Sequence, residues 1–426
     1  MTADTIYALS SGRPPAAVSI IRVSGPAAHA AGTRMAGSLP VARMAVVREL
    51  RHPHLGELLD EALVLRFDGP GSSTGEDIVE FHCHGGRAVV DGILSALDLI
   101  EGLREALPGE FTRRAFENGR MDLTEAEGLA DLIEAETEGQ RRAALALAEG
   151  GFRKQIELWR SRVVDLSAQA ERAIDYDEDD LPIDARMAAA LGELADELQE
   201  WVDRPRIETL KDGVRAVIAG PPNAGKSSLI NALSGIERAI VTDIPGTTRD
   251  HIEVPLSIAG LPILLTDTAG LREATDAVEA IGVKRATALV EAADILVWLG
   301  DPESAPRHPR LIKVYARADL PERQRVPSDS LAVSVVTGEG LGRLLERIVE
   351  LSRDLLPGEG AIAVNRRQAA LLSEAAASLR SAGGVPDAVL LAEELRHAKS
   401  AFDRLTGAAG VEDVLDALFG RFCLGK

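Results

Sequence analysis

Gly220-Pro221-Pro222-Asn223-Ala224-Gly225-Lys226-Ser227 constrains this chain more than any other stretch. It has the form G-x-x-x-x-G-K-[ST], follows an apolar run at Val214–Ala219 and opens a helical pattern at Ser227–Leu233. That order of strand, glycine-rich turn and helix is the context in which the motif carries meaning. The glycines let backbone N–H groups curl around phosphates, and a helix N-terminus adds positive potential. Lys226 can reach the outer phosphates, and the Ser227 hydroxyl can ligate magnesium.

The surrounding segments predict an α/β domain. Short apolar runs recur at Ile252–Ile258, Pro262–Thr266, Ile295–Leu299, Leu311–Ala316 and Leu331–Val335. Helical patterns at Val278–Ala292 and Leu341–Leu355 separate several of them. Strands alternating with helices predict a mostly parallel sheet covered on both faces.

Outside that region the texture changes twice. Residues 1–118 mix short β-like runs (Val18–Val23, Ala62–Phe67, Asp77–His82) with Gly/Pro-rich turns, an α+β pattern. Residues 119–210 read as helical, with Thr124 and Glu127 spaced as a capping box. The acidic run around Asp175–Asp180 reads as an exposed bend. Residues 211–355 form the α/β stretch, and 356–426 turn helical again, most clearly at Gln368–Leu379 and Val389–Leu405. The expectation is a multidomain α+β and α/β chain whose P-loop domain is inserted into a helical domain.

Net charge and cysteines narrow the partners. With 67 acidic against 47 basic residues the formal charge is −20. Nucleic-acid binding driven by counterion release wants a basic face, so such a role needs a local patch or a partner, unless the acidity only keeps the chain in solution. No stretch of 18 apolar residues predicts a membrane span, and Met1–Ser10 shows no secretory signal pattern. Cys83 and Cys423, far apart, read as reduced cytosolic thiols. His82-Cys83-His84 has no second ligand cluster to complete a zinc site.

Three further segments extend the phosphate site. Asp267-Thr268-Ala269-Gly270 ends a predicted strand, where an acidic residue can hold a magnesium shell and a glycine can sense the γ-phosphate. Gly246-Thr247-Thr248-Arg249-Asp250 supplies threonine hydroxyls that could complete the magnesium sphere. After Gly270 stands Leu271, where Ras-type GTPases place a water-orienting glutamine. A cation is a natural substitute, and Asn223 is placed either to ligate a monovalent ion or simply to turn the loop.

Taken together, Pro222–Leu229, Gly246–Asp250 and Asp267–Arg272 resemble the TrmE (MnmE) branch of the translation-factor-related GTPases. The resemblance continues through Thr5-Ile6, Ile21–Gly25, Thr74–Asp77, His84–Gly86, Pro108–Thr112, Arg114–Gly119 and the Cys423-Leu424-Gly425-Lys426 tail. It implies a Ras-like GTP-binding domain contacted through Asn223, Ala224, Gly225, Lys226, Ser227, Ser228, Thr242, Asp243, Ile244, Pro245, Gly246, Thr247, Thr248, Asp267, Thr268, Ala269, Gly270, Asp319 and Ser334. It implies magnesium on Ser227 and Thr248, potassium on Asn223, Thr242, Ile244 and Thr247, and catalysis by Glu279 with Lys226 and Thr248. It also implies a 5-formyl- or methylene-tetrahydrofolate site in the amino-terminal, dimerising domain, with Arg22, Glu80, Arg120 and Lys426.

The same resemblance implies a cytoplasmic homodimer acting with the partner MnmG (GidA) in a heterotetramer. MnmG would bring FAD, NADH and most of the tRNA contact, and the pair would modify the wobble uridine of certain tRNAs. A ribosome-assembly switch of the Era/EngA type would carry a basic module after the GTPase domain, and a folate-dependent aminomethyltransferase-like enzyme would have no use for that domain. One departure stands out. Where the branch reads guanine with Asn-Lys-x-Asp, this chain has Ala316-Arg317-Ala318-Asp319. Asp319 can still accept from guanine N–H groups and Arg317 can still cover the base. Ala316 lacks the amide, a loss of about 1–2 kcal/mol.

Overall fold

The computed structural model describes residues 4–175, 185–236, 238–239, 253–268, 287–323, 325–358, 361–385, 387–422 and 424–425. Two compact units emerge, Met1–Ala130 with Asp403–Lys426, and Asp131–Phe402.

The first unit is built on a six-stranded sheet of β1 (Thr5–Leu9), β2 (Val18–Ser24), β3 (Val46–Arg51), β4 (Leu58–Phe67), β5 (Ile78–His84) and β6 (Leu103–Glu105), in the order β3-β4-β5-β2-β1-β6. All pairs are antiparallel except β1 with β6. Alternation along β5 sends Val79, Phe81 and Cys83 to one face and leaves Glu80 and His82 on the other. The first face packs on helices Ala28–Ala36 and Arg87–Asp98, making a core with Ile21, Val23, Val64, Ile93 and Leu97.

The end of the chain belongs to this unit. Helix Glu412–Phe419 lies against Glu110–Glu117, and Phe419 and Phe422 join a core with Leu123 and Ala126. Two glycines permit the close approach. A Cβ on Gly109, whose φ is +70°, would sit 2.4 Å from the Phe419 carbonyl oxygen. One on Gly425 would meet the Leu9 oxygen at 2.1 Å.

Helix Leu123–Glu134 corrects the expected cap. Asp122 Oδ1 accepts from Glu125 N (2.9 Å) and Glu125 Oε2 from Asp122 N (2.7 Å), so the capping box is Asp122 with Glu125. Thr124 lies inside the helix and donates to Asp122 Oδ1. The carboxylate at Asp122 stands where it can accept the orphan helix N–H groups, whereas the Thr124 hydroxyl lies two residues inside the helix.

In the second unit, β7 (Val214–Ala219), β8 (Arg238–Ala239), β9 (Glu253–Ile258), β10 (Leu261–Asp267), β11 (Ile295–Trp298), β12 (Leu311–Ala316) and β13 (Leu331–Val333) form a sheet ordered β13-β12-β11-β7-β10-β9-β8. The β7–β10, β7–β11, β11–β12 and β12–β13 pairs are parallel, as expected; β8–β9 and β9–β10 are antiparallel. At the centre of the sheet β11 is wholly apolar and β7 is apolar apart from Arg215, and both are almost entirely buried, as strands covered on both faces should be. Most of the expected helix Val278–Ala292 lies outside the described residues.

Helices on either side of this sheet in sequence pack on one another, chiefly Ala185–Asp203 along Arg366–Ala382. Trp159, fully buried, meets Trp201 edge-on at 5.2 Å and lies near Phe152 and Phe402. Its indole N–H donates to Glu197 (2.8 Å), which Arg162 also holds. Helix Glu138–Ala148 begins with a Thr137/Gln140 capping box. From this turn Gly139 N–H donates to Gly260 O in the β9–β10 turn (3.1 Å), and Gln140 Nε2 donates to Leu210 O just before β7 (3.1 Å). The helical segment thereby grips the two central strands at the ends away from the P-loop.

Candidate functional site

Parallel β7 runs out at Ala219, between β10 and β11, and the chain turns through Gly220–Gly225 into helix Lys226–Ile236. This is a topological switch point, where ligands of open α/β sheets sit. Gly225 has φ +97° and Asn223 +63°, a left-handed conformation that asparagine tolerates better than most residues. Lys226 is almost fully buried and its Nζ donates to Gly220 O (3.1 Å) and Pro221 O (3.0 Å).

Register between β7 and β10 then fixes the acidic partner. Asp267 pairs with Ile218, and its fully buried Oδ2 accepts from Ser227 Oγ at 2.6 Å. Thr268 Oγ1 donates back to Ile218 O. A hydroxyl and a carboxylate held this close are a hard-oxygen donor set that suits magnesium.

On the other side of β7, beyond β11, β12 delivers the loop Ala316–Asp319. Asp319 Oδ1 accepts from Ser334 Oγ (2.6 Å), and Ser334, wholly buried, in turn accepts from the N–H groups of Val336 and Thr337. Arg317, with φ +58°, donates from Nη2 to the Asn223 carbonyl (2.6 Å), tying this loop to the P-loop. The structure thus brings together Asn223–Ser228, Asp267, Thr268, Asp319 and Ser334. The remaining expected nucleotide and metal residues, Thr242–Thr248, Ala269, Gly270 and Glu279, lie outside the described residues.

In the first unit, Arg22 and Glu80 are direct register partners and form an ion pair (Nε to Oε1 2.9 Å; Nη2 to Oε1 2.8 Å). Arg22 also lies over the Phe111 ring at 5.6 Å, and His82 Nε2 is 3.2 Å from Glu80 Oε2. Arg120 is exposed beside Gly75, and among the described residues it bonds to neither Arg22 nor Glu80. Lys426 and Cys423 lie outside the described residues. Strand alternation buries Cys83 while His82 and His84 point away, so the three do not converge as ligands.

Pattern reading missed a charged network behind this sheet. Arg114, 8% exposed, donates to Asp4, Glu76 and Glu110, and Arg104 donates to Asp4 and Glu110. Burial raises the Glu110 carboxyl, but hydrogen bonds from Arg104, Leu107 N–H and Arg114 outweigh it and hold it below its usual range. Asp4 is lowered by the same two arginines against its own burial. The network floors a cleft of about 910 Å³ lined also by Asn118 and Asp416. Its members come from four separate segments, so no local spacing announced it.

Comparison with known proteins covers the whole chain. A family model described as GTP-binding protein TrmE N-terminus matches residues 5–120, and one for the MnmE helical domain matches 123–423. Proteins named tRNA modification GTPase MnmE from Erythrobacter litoralis and Rhizorhabdus wittichii are each 52% identical to it, covering 99% of this chain and 100% and 97% of theirs. The protein of that name from Zymomonas mobilis is 48% identical, covering 99% of this chain and all of its own. No helix among the described residues is long and apolar enough to cross a membrane. Matched end to end at such identity, the chain belongs to the MnmE family of tRNA modification GTPases.

Proposed function

We propose that this chain hydrolyses GTP as part of tRNA modification, forming with an MnmG-type partner the aminomethyl or carboxymethylaminomethyl group at C5 of the wobble uridine. The observation that carries the reading is the P-loop with Ser227 bonded to Asp267, flanked by Asp319 on Ser334, in a chain matched along its length by this family.

Asn223–Ser228 and Lys226 cradle the β- and γ-phosphates, and Asp319 accepts from guanine N–H groups while Arg317 covers the ring. Ser227 and Thr248 hold magnesium, which neutralises charge on the phosphate oxygens. Asn223, Thr242, Ile244 and Thr247 hold potassium beside the same phosphates, in place of a glutamine after Gly270. Glu279 orients the attacking water. Ala224, Asp243, Pro245, Gly246, Asp267, Thr268, Ala269, Gly270 and Ser334 complete the nucleotide contacts.

Residues 1–118 form the folate-binding, dimerising domain. Arg22, Glu80, Arg120 and Lys426 face a 5-formyl- or methylene-tetrahydrofolate that donates the one-carbon unit. The Arg22–Glu80 pair supports this reading, because it places a cation and an acceptor side by side on one half-buried sheet face. Segments 119–210 and 356–426 form the helical domain, and 211–355 the GTPase domain. The acidic surface fits a homodimer that leaves tRNA contact mainly to the partner, with FAD and NADH bound there, in a cytoplasmic heterotetramer.

Reconstitution tests the whole. Full-length protein, FAD-loaded partner, tRNA, GTP, NADH, methylene-tetrahydrofolate and an amine donor, ammonium or glycine, should yield the modified nucleoside by mass spectrometry. Ser227→Ala or omission of either protein should abolish it, and product formation without GTP hydrolysis would overturn the reading.

A further inference from the structure

The loop Ala316–Asp319 lacks the asparagine amide that would brace it, and the structure shows what stands beside the gap. Arg323 closes the 3-10 turn Pro321–Arg323 directly after the loop. Its Nη1 donates to the Ala316 carbonyl, and its guanidinium lies 4.7 Å from the centroid of the Tyr315 ring. The main chain folds back as well, with Arg323 N–H on Leu320 O (2.8 Å) and Leu320 N–H on Arg317 O (3.2 Å). Segment 315–323 is therefore closed on itself by one arginine.

Two contacts that matter for a nucleotide hang from this closed segment. Arg317 reaches the P-loop carbonyl of Asn223, and Asp319 is held by Ser334. A planar guanidinium stacked on an aromatic ring, with a donor spent on a carbonyl, loses little further freedom and holds the main chain firmly. An exposed, unstacked arginine would not. Tyr315 and Arg323 are both half-buried.

We propose that Arg323 is a positioning residue for guanine-nucleotide selectivity, holding residues 315–319 in the shape that presents Arg317 and Asp319, in place of a side chain at position 316. The proposal rests on Ala316–Asp319 being the guanine-facing loop.

Full-length R323A, R323K, A316N, A316N/R323A and D319A tested by steady-state GTP and ATP hydrolysis and thermal melting decide both points. D319A should erase the preference for GTP over ATP. R323A should raise KM for GTP about five- to tenfold, narrow that preference and leave kcat within about twofold. R323K should fall between, because it keeps the charge without the stacked fork, and A316N/R323A should regain much of the lost affinity. If D319A narrows the preference and R323A does not, Arg323 has no such role. If R323A lowers melting temperature and impairs both nucleotides equally, the residue is only structural. If D319A keeps the preference, the loop reading falls and the proposal with it.

Discussion

Ser227, in the first turn of the helix after the P-loop, donates a hydrogen bond of 2.6 Å to Asp267 at the carboxyl end of β10. The bond places a hydroxyl and a wholly buried carboxylate at one point beside the phosphate cradle. Ser227→Ala and Asp267→Asn should each lower kcat for GTP by about a hundredfold or more and shift the magnesium titration upward. Unchanged magnesium dependence in both variants would remove this pair from the metal shell.

Asn223 turns the P-loop in a left-handed conformation, and its carbonyl is already committed to Arg317. Its side-chain amide adds a further oxygen donor for a cation. Wild-type hydrolysis should be at least about tenfold faster in potassium than in sodium, and Asn223→Ala should lose the difference. Equal wild-type rates in the two salts would sink the assigned role.

Arg114 sits among Asp4, Glu76 and Glu110 with little exposure. Removing it leaves half-buried carboxylates, two of which Arg104 still holds, so Arg114→Ala should cost about 1–3 kcal/mol in chemical unfolding of the first unit. The pH dependence follows from the lowered carboxyls. Asp4 and Glu110 contribute stability above their ordinary values of 3.8 and 4.5, and lose it as pH falls through their lower folded values. Acid melting should show this limb below about pH 4.5, and Glu110→Gln should flatten it; an unaltered limb would argue against the network.

Cys83 is buried on the core face of β5, and burial first, then the charge of Asp60, raise its thiol to about 11. At pH 8 about one molecule in a thousand carries the thiolate. Iodoacetamide followed by peptide mass spectrometry should leave Cys83 unlabelled in the folded protein and label it in urea. Rapid native labelling would show that the strand opens.

Much of this protein is determined by local sequence. Strands β7 and β12 fall where their apolar runs predict them, β7 buried along all but Arg215 and β12 with Ile312 and Val314 turned inward. The P-loop is equally legible, since its chemistry is a matter of backbone shape set by Gly220, Gly225 and Lys226. Three things were decided only in three dimensions. The Arg104–Arg114 network and the seating of Asp403–Lys426 in the first unit join segments remote in sequence. Arg323 showed as a brace for Ala316 only once the turn had folded it over Tyr315. Periodicity reports which face of an element is buried, but only packing reports which distant charge or carbonyl meets it there.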